Sequence, residues 1–316
     1  MMILQQPISW GEAAVELIGF VGTFLAAGAI GFRYSVLRHR LAPPAAPLSE
    51  ERQMHETAAA KAAMLGFIGA LIAIVLLFGN LPQQAARQHV GIPQLITHSG
   101  TVMAQVALAI LVIAGFVLAW VRVNAGWPLA AAGVVAGALR AAFFGQWLRL
   151  INPIHRLAAG FWIGTLFVLV IAGLGTVARS RLSSSDRGRA AADMVNAFSP
   201  LALVSFAVLA IFGVITAWRH LGALHALWTT PYGYALIAKL VVVAFVIALG
   251  AFNWRRQKPL LGTEEASTVL RRSATAELAV ASIVLVITAI LVSLPAPSES
   301  RPQPKRAPAA TAPSTQ

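Results

Sequence analysis

The sequence contains no cysteine and few charged residues, and both absences limit what the protein can be. Without cysteine there is no disulfide, no thiolate metal site and no motif for covalent haem attachment. Charged residues make up 11% of the chain and hydrophobic residues 58%, and the mean hydropathy is +0.75. A soluble domain of this length needs far more polar surface. We therefore expect an integral membrane protein.

Catalytic motifs are also missing from the sequence. There is no phosphate-binding glycine loop, no nucleophile elbow and no pair of carboxylates placed for acid and base catalysis. We therefore expect that the protein is not an enzyme.

Apolar runs of roughly 20 residues, the length that crosses a bilayer, predict an all-α bundle of eight transmembrane helices within residues 1–294. These runs are Glu12–Phe32, Ala60–Asn80, Gly100–Val121, Trp127–Trp147, Ile154–Ala178, Pro200–Trp218, Tyr232–Trp254 and Thr275–Leu294. No basic residue precedes the first run, so we expect an uncleaved span rather than a signal peptide. The remainder, 295–316, is rich in Pro, Ala, Ser and Thr and is predicted to be a disordered tail.

The distribution of Lys and Arg predicts the orientation. Fifteen of these residues fall in the loops after predicted helices one, three, five and seven, and seven fall in the other loops and the tails. Because basic short loops stay in the cytoplasm, both termini are expected to be extracytoplasmic. The net charge of +13 is spread over these loops, which favours the lipid bilayer as the partner and argues against nucleic acid.

With this topology, five of the seven histidines lie on the outer side. They are His89, His98, His155, His220 and His225. Neutral imidazole is the commonest metal ligand and suits copper and zinc, so these residues predict a metal-capturing site, with His155 and His98 as the leading pair. The alternative for each histidine is that it simply faces water at the interface.

Two cations are predicted inside the membrane. Lys239 in helix seven and Arg140 in helix four are each expected roughly 12 Å below the outer interface at 1.5 Å per residue. Buried charges are costly and usually functional, and the nearest acids in the topology are Glu12 and Glu16. The alternative is that both side chains extend upwards to the interface. Glycines spaced four apart, at Gly160 and Gly164 and at Gly133 and Gly137, predict close helix packing.

Four ordered blocks in the second half of the chain resemble the copper resistance protein D family. The blocks are His155-Arg-Leu-Ala-Ala-Gly-Phe-Trp162-Ile-Gly164, Phe198-Ser-Pro-Leu-Ala, Thr229-Thr-Pro-Tyr-Gly233 followed by Lys239, and Gly250-Ala-Phe-Asn253-Trp-Arg255. The resemblance is specific from about residue 155 to 256 and extends more weakly to 292. It implies an eight-helix inner-membrane protein for copper uptake, with His155, Trp162, Lys239 and Asn253 at characteristic positions. A periplasmic copper-binding protein is the partner that such a role implies.

One departure from the family pattern affects the expected ligands. Where the family carries Gly-His-Ala in helix four, this chain reads Ala138-Leu-Arg140-Ala, and a guanidinium cannot ligate a metal. A second reading is therefore a membrane electron-transfer protein that binds haem b through histidines on two helices, with Arg140, Arg156 or Lys239 binding the propionates. A third reading is an assembly factor that binds no ion.

Overall fold

The computed structural model describes residues 9–38, 49–257 and 266–297, with side chains omitted for 251–257, 266–274 and 277. Over these ranges the chain is helical and contains no strand. The helices are α1 (Trp10–Gly31), α2 (Glu50–Gln88), α3 (Ile92–His98), α4 (Gly100–Trp120), α5 (Gly126–Phe143), α6 (Ile151–Ala159), α7 (Thr165–Val168), α8 (Gly175–Val177), α9 (Ser184–Leu221), α10 (Ala226–Thr229), α11 (Pro231–Gln257) and α12 (Ala266–Ser293).

Wider and tighter helical turns join several of these helices. A π turn, Phe32–Val36, extends α1, and a 3-10 turn, Trp147–Leu150, precedes α6. Two more π turns, Gly160–Gly164 and Leu169–Leu174, join α6, α7 and α8 into one continuous rod.

Seven helical stretches in the described ranges are long and apolar enough to cross a membrane. They are Trp10–Val36, Glu50–Gln88, Gly100–Trp120, Gly126–Phe143, Trp147–Val177, Ser184–Leu221 and Pro231–Gly250. The last predicted span corresponds to α12, which contains a shorter apolar segment, Leu278–Ser293. The prediction of an all-α, multi-pass membrane protein is confirmed.

Two helices are much longer than their predicted spans. α2 has 39 residues and α9 has 38, so each is roughly 57 Å long at 1.5 Å per residue. Their polar first turns are capped by serine hydroxyls, since Ser49 accepts from the Arg52 amide and Ser183 from the Asp186 amide. Hydropathy marks only the part of each helix that lies in the hydrocarbon, and the helix itself continues beyond it.

Contacts between helix ends show that successive spans alternate in direction. The start of α1 meets the start of α6 through Glu16 and Arg156. The end of α9 meets the start of α11 through His220 and Tyr232. α2 runs antiparallel to α1, since Gly19 lies against Leu76 and Gly22 against Ile72. The five histidines predicted to share a side therefore lie at one end of the bundle, and which side of the membrane that end faces stays a prediction.

α1 is the central helix of the bundle, since it packs on α2, on the rod of α6 and α7, and on α12. Its closest approach is at Gly28, where an added Cβ would collide with the backbone of Gly164. Gly160 likewise lies against Ala27, so the predicted packing role of the Gly160 and Gly164 pair is confirmed. In α5, Gly133 packs against Val112, whereas a Cβ at Gly137 would meet nothing within 4 Å.

Candidate functional site

α6 and α9 meet along a seam that carries polar side chains from both helices. We call it the α6–α9 seam and define it by Asn152, His155 and Trp162 on one side and Phe206, Gly213, Thr216 and His220 on the other. Thr216 Oγ1 donates a hydrogen bond to Asn152 Oδ1 at 3.2 Å. One turn along both helices, a Cβ at Gly213 would lie 3.2 Å from His155 Cε1. The absence of a side chain at Gly213 therefore lets the imidazole approach the backbone of α9.

Trp162 continues the seam further along the rod. Its ring centroid lies 5.7 Å from that of Phe206, with the rings nearly edge to face. Trp162 follows His155 by seven residues and Phe206 precedes Gly213 by seven, so one pair of facing stripes runs along both helices. The predicted placement of Trp162 on the same face as His155 agrees with this geometry.

His155 is the chemically unusual residue of the seam. Its Nδ1 is buried and makes no hydrogen bond of good geometry with the described residues, although the backbone of Leu209 in α9 lies near the ring. Buried polar atoms are nearly always paired, so an orphaned ring nitrogen calls for an explanation. An unprotonated imidazole nitrogen is a good metal ligand, and His155 can present one between α6 and α9.

Lys239 of α11 lies within electrostatic range of His155. Its side chain is partly buried and forms neither a hydrogen bond nor an ion pair with the described side chains. An ammonium cannot ligate a metal and would repel one held at His155. The pair therefore suits an ion that is held briefly rather than stored.

His220 lies at the end of the same seam that is predicted to face outwards, which we call its outer end. Its Nδ1 is 2.8 Å from the carbonyl oxygen of Thr216, and its ring stacks on Tyr232 with centroids 5.9 Å apart. A carbonyl oxygen only accepts, so Nδ1 carries the proton and Nε2 keeps a free lone pair. His220 is seven residues beyond Gly213, roughly 10 Å along the helix. The seam thus carries two imidazoles, one near its outer end and one deeper.

The other three outer histidines lie apart from the seam. His98 ends α3, and its Nδ1 lies 2.9 Å from Thr97 Oγ1 and 3.1 Å from the Gln94 carbonyl oxygen. α3 packs on α2 and α4, whereas α6 packs on α1, α5 and α9. His89 ends α2 with a left-handed φ of 54°, and His225 is the exposed N-cap residue of α10. Over the described ranges, no three His, Asp or Glu side chains gather into a metal-binding group.

The prediction that Glu16 pairs with Lys239 or Arg140 is wrong. Glu16 Oε2 lies 3.1 Å from Arg156 Nη2, so it pairs with Arg156 and not with Arg140 or Lys239. The same guanidinium lies 4.5 Å from the ring centroid of Phe20. Glu12 is exposed near the start of α1, where its amide contacts Ser9 Oγ. The pairing depends on the contact between α1 and α6, which a single sequence does not reveal.

Arg140 lies closer to a helix end than predicted. α5 ends at Phe143, and Gly145 follows with φ of +69°, a left-handed conformation that favours glycine. Arg140 is therefore in the last turn, roughly 5 Å from the helix end. Its Nη1 donates to the carbonyl oxygen of Gly137 at 3.0 Å. Asn253 lies in α11, but its side chain is outside the described part.

Sequence reasoning missed the seam partners Asn152, Gly213 and Thr216. A usable signal was present, because Asn152 and His155 are three apart in an apolar helix, and Gly213, Thr216 and His220 follow spacings of three and four. Such spacing predicts one polar stripe per helix. The sequence does not show which stripes face each other.

Comparison with known proteins shows what the second half of the chain is similar to. Residues 192–291 match the family model "Copper resistance protein D". A search of curated proteins finds the copper transport protein CutJ of Bacillus subtilis (strain 168), with 29% identity over 155 residues. That match covers 49% of this chain and 27% of the relative, so this chain corresponds to about a quarter of the relative's length. No solved structure matches.

The matched segment contains most of α9, all of α10 and α11 and nearly all of α12. It includes Gly213, Thr216, His220 and Lys239, whereas His155 lies before it. Together with the seven apolar helices, this match makes the chain a multi-pass protein of the bacterial inner membrane. Residues 192–291 of the chain are therefore similar to the copper resistance protein D family, as the sequence blocks in this half predicted.

Proposed function

We propose that this protein carries copper across the bacterial inner membrane towards the cytoplasm, and that the α6–α9 seam is the outer part of its path. Support comes from the family of residues 192–291 and from the relative that is named a copper transport protein. One side of the seam, from Phe206 to His220, is part of that family segment.

The observation that carries the proposal is the orphaned Nδ1 of His155. A buried ring nitrogen without a hydrogen bond costs free energy unless something binds it. A copper ion on its lone pair would satisfy it, since imidazole suits copper. His155 therefore acts as the deeper ligand.

The outer end of the seam supplies the receiving ligand. His220 presents Nε2 with its tautomer fixed by the Thr216 carbonyl, which is how metal-binding histidines are usually held. His98, whose ring contacts Thr97 Oγ1 and the Gln94 carbonyl oxygen, serves as a second receiving ligand on α3. His89 and His225 are weaker members of this outer set, because the described contacts fix neither ring.

Lys239 sets how long the ion stays. Its positive charge close to His155 weakens the hold on a cation there, and transport requires that an ion leave as well as bind. This role uses the charge of Lys239 and assigns it no direct bond to copper.

The deciding experiment measures cellular copper in a strain that lacks the gene and is complemented with the unmodified protein, with His155→Ala or with His39→Ala. His39→Ala is the matched control because it removes a histidine from the loop predicted on the opposite side. We expect the unmodified protein and the control to raise cellular copper to the same level, and His155→Ala to remain near the empty-vector level. Equal copper in the His155→Ala strain, at equal protein abundance, would refute the proposal.

Protein purified from the same strains distinguishes copper transport from the haem alternative. A purified protein that holds haem b through two histidines shows a Soret absorption band, and a copper carrier does not. A stoichiometric Soret band lost in His155→Ala would replace copper transport by electron transfer as the function.

A further inference from the structure

Two arginines and one glutamate meet where α1, α5 and α6 pack on one another. Glu16 pairs with Arg156, and Arg156 and Arg140 are near enough to repel each other. Glu16 offsets the charge of Arg156, and Arg140 has no acidic partner among the described side chains, which leaves a surplus positive charge at this end of the bundle.

Most hydrogen-bond donors of Arg140 are free. A guanidinium has five N–H groups, and the described contacts of Arg140 use one of them, on the carbonyl of its own helix at Gly137. The Arg156 side chain is 40% exposed, so its pairing with Glu16 leaves it accessible to a second anion. The donors of both arginines are therefore available to one ligand.

Large exposed apolar side chains follow Arg140 along the chain. Phe143 is 72% exposed, Trp147 68% and Leu148 73%, and all three lie between the last turn of α5 and the start of α6. Exposed aromatic and aliphatic groups next to arginines at a span end are typical of the level where headgroup and acyl chain meet. The surroundings fit a ligand that is both anionic and apolar.

We propose that Arg140 and Arg156 bind the phosphate of an anionic glycerophospholipid whose acyl chains lie against Phe143 and Leu148. Guanidinium groups match phosphate oxygens with paired N–H donors, which explains the choice of arginine over lysine. A membrane lipid fits better than free phosphate because only a lipid would cover the flanking apolar side chains. This site is separate from the copper path and does not depend on it.

The test titrates phosphatidylglycerol into the full chain purified in a neutral detergent and counts bound lipid by native mass spectrometry. We compare the unmodified protein with Arg140→Gln and with Arg149→Gln. Arg149 is the matched control, since it lies at the same end, is exposed and bonds Gln146 Oε1. Losing one charge-assisted contact should weaken lipid binding about tenfold in Arg140→Gln and less than about twofold in the control.

Two further arms keep the result unambiguous. Arg140→Lys keeps the charge but loses the paired donors, so its lipid affinity should lie between those of the unmodified protein and Arg140→Gln. Inorganic phosphate at millimolar concentration should not displace the lipid. Equal lipid affinity in Arg140→Gln and the unmodified protein, with unchanged melting temperature, would overturn the site. Full displacement by inorganic phosphate would overturn its assignment to a lipid.

Discussion

Thr216 fixes His220 and Asn152 at once: its hydroxyl donates to Asn152 Oδ1 at 3.2 Å, and its carbonyl accepts from His220 Nδ1 at 2.8 Å. The same residue thus joins α9 to α6 and sets the tautomer of His220. The histidine is therefore held in a fixed position relative to α6 as well as to its own helix.

The first prediction concerns this link. Thr216→Val keeps the side-chain shape and the backbone carbonyl but removes the hydroxyl donor. We expect Thr216→Val and Asn152→Ala each to destabilise the protein, and the double variant to lose less stability than the sum of the two. Hydrogen bonds between membrane helices average about 0.6 kcal/mol and reach about 1.7 kcal/mol in such cycles. We expect a coupling in this range from the unfolding free energies of the two single variants and the double variant. Strict additivity would show that the bond contributes nothing.

The second prediction concerns the contact between α1 and the rod. Gly164→Ala places a methyl group against the backbone of Phe24, which cannot move aside as a side chain can. We expect a loss of about 1–3 kcal/mol, measured as a lower melting temperature in detergent. Gly137→Ala is the control, because its methyl would meet open space. Equal melting temperatures of both variants would contradict the close approach.

The third prediction concerns which imidazole works with His155. His220→Ala and His155→Ala should each lower copper binding to the purified protein, and the double variant should lower it further, because imidazoles roughly 10 Å apart along the helix hold separate ions. Copper bound per protein, measured by elemental analysis after gel filtration, gives the result. A large loss in His98→Ala together with normal binding in His220→Ala would assign the second ligand to α3 instead.

The fourth prediction concerns Lys239. Lys239→Met removes a charge that has no described partner and should leave the melting temperature unchanged or slightly raised, because an unpaired cation in a bilayer is costly. Copper accumulation per molecule should fall, since the ion would leave His155 more slowly. Lower stability with normal accumulation would make Lys239 a structural residue.

The fifth prediction concerns topology. With both termini outside, a reporter fused at Ser183, just before α9, should be active only if it works in the cytoplasm. A reporter fused after Pro297 should be active only if it works in the periplasm. The distribution of Lys and Arg motivates both expectations. Activity of the opposite reporter at either position would reverse the assignment.

The spans themselves were predictable because each depends on a local run of apolar residues. The run at Gly100–Val121 became Gly100–Trp120 of α4 almost unchanged. The errors came from features that a run does not encode. The fourth span was predicted to reach Trp147, but the left-handed turn at Gly145 ends α5 earlier and moves Arg140 to the helix end.

The site was less predictable because it depends on which helix faces which. Composition and spacing identified His155, His220 and Lys239 as unusual, and the glycine spacing identified Gly164 as a packing position. That Glu16 would meet Arg156, and that Thr216 would bond Asn152, follow from contacts between residues 64 or more positions apart. Such contacts depend on tertiary packing and leave no local signal.

The π turns of the rod rotate its side chains around the helix axis relative to those of a straight α-helix. Each π turn accommodates one extra residue, so the faces on either side of Gly160–Gly164 differ by about 100° from a regular wheel. Shortening this turn by one residue would therefore keep every side chain of α6 intact and still rotate His155 away from the face that Trp162 shares with α9. The number of residues between His155 and Trp162 therefore sets their alignment as much as the identity of those residues does.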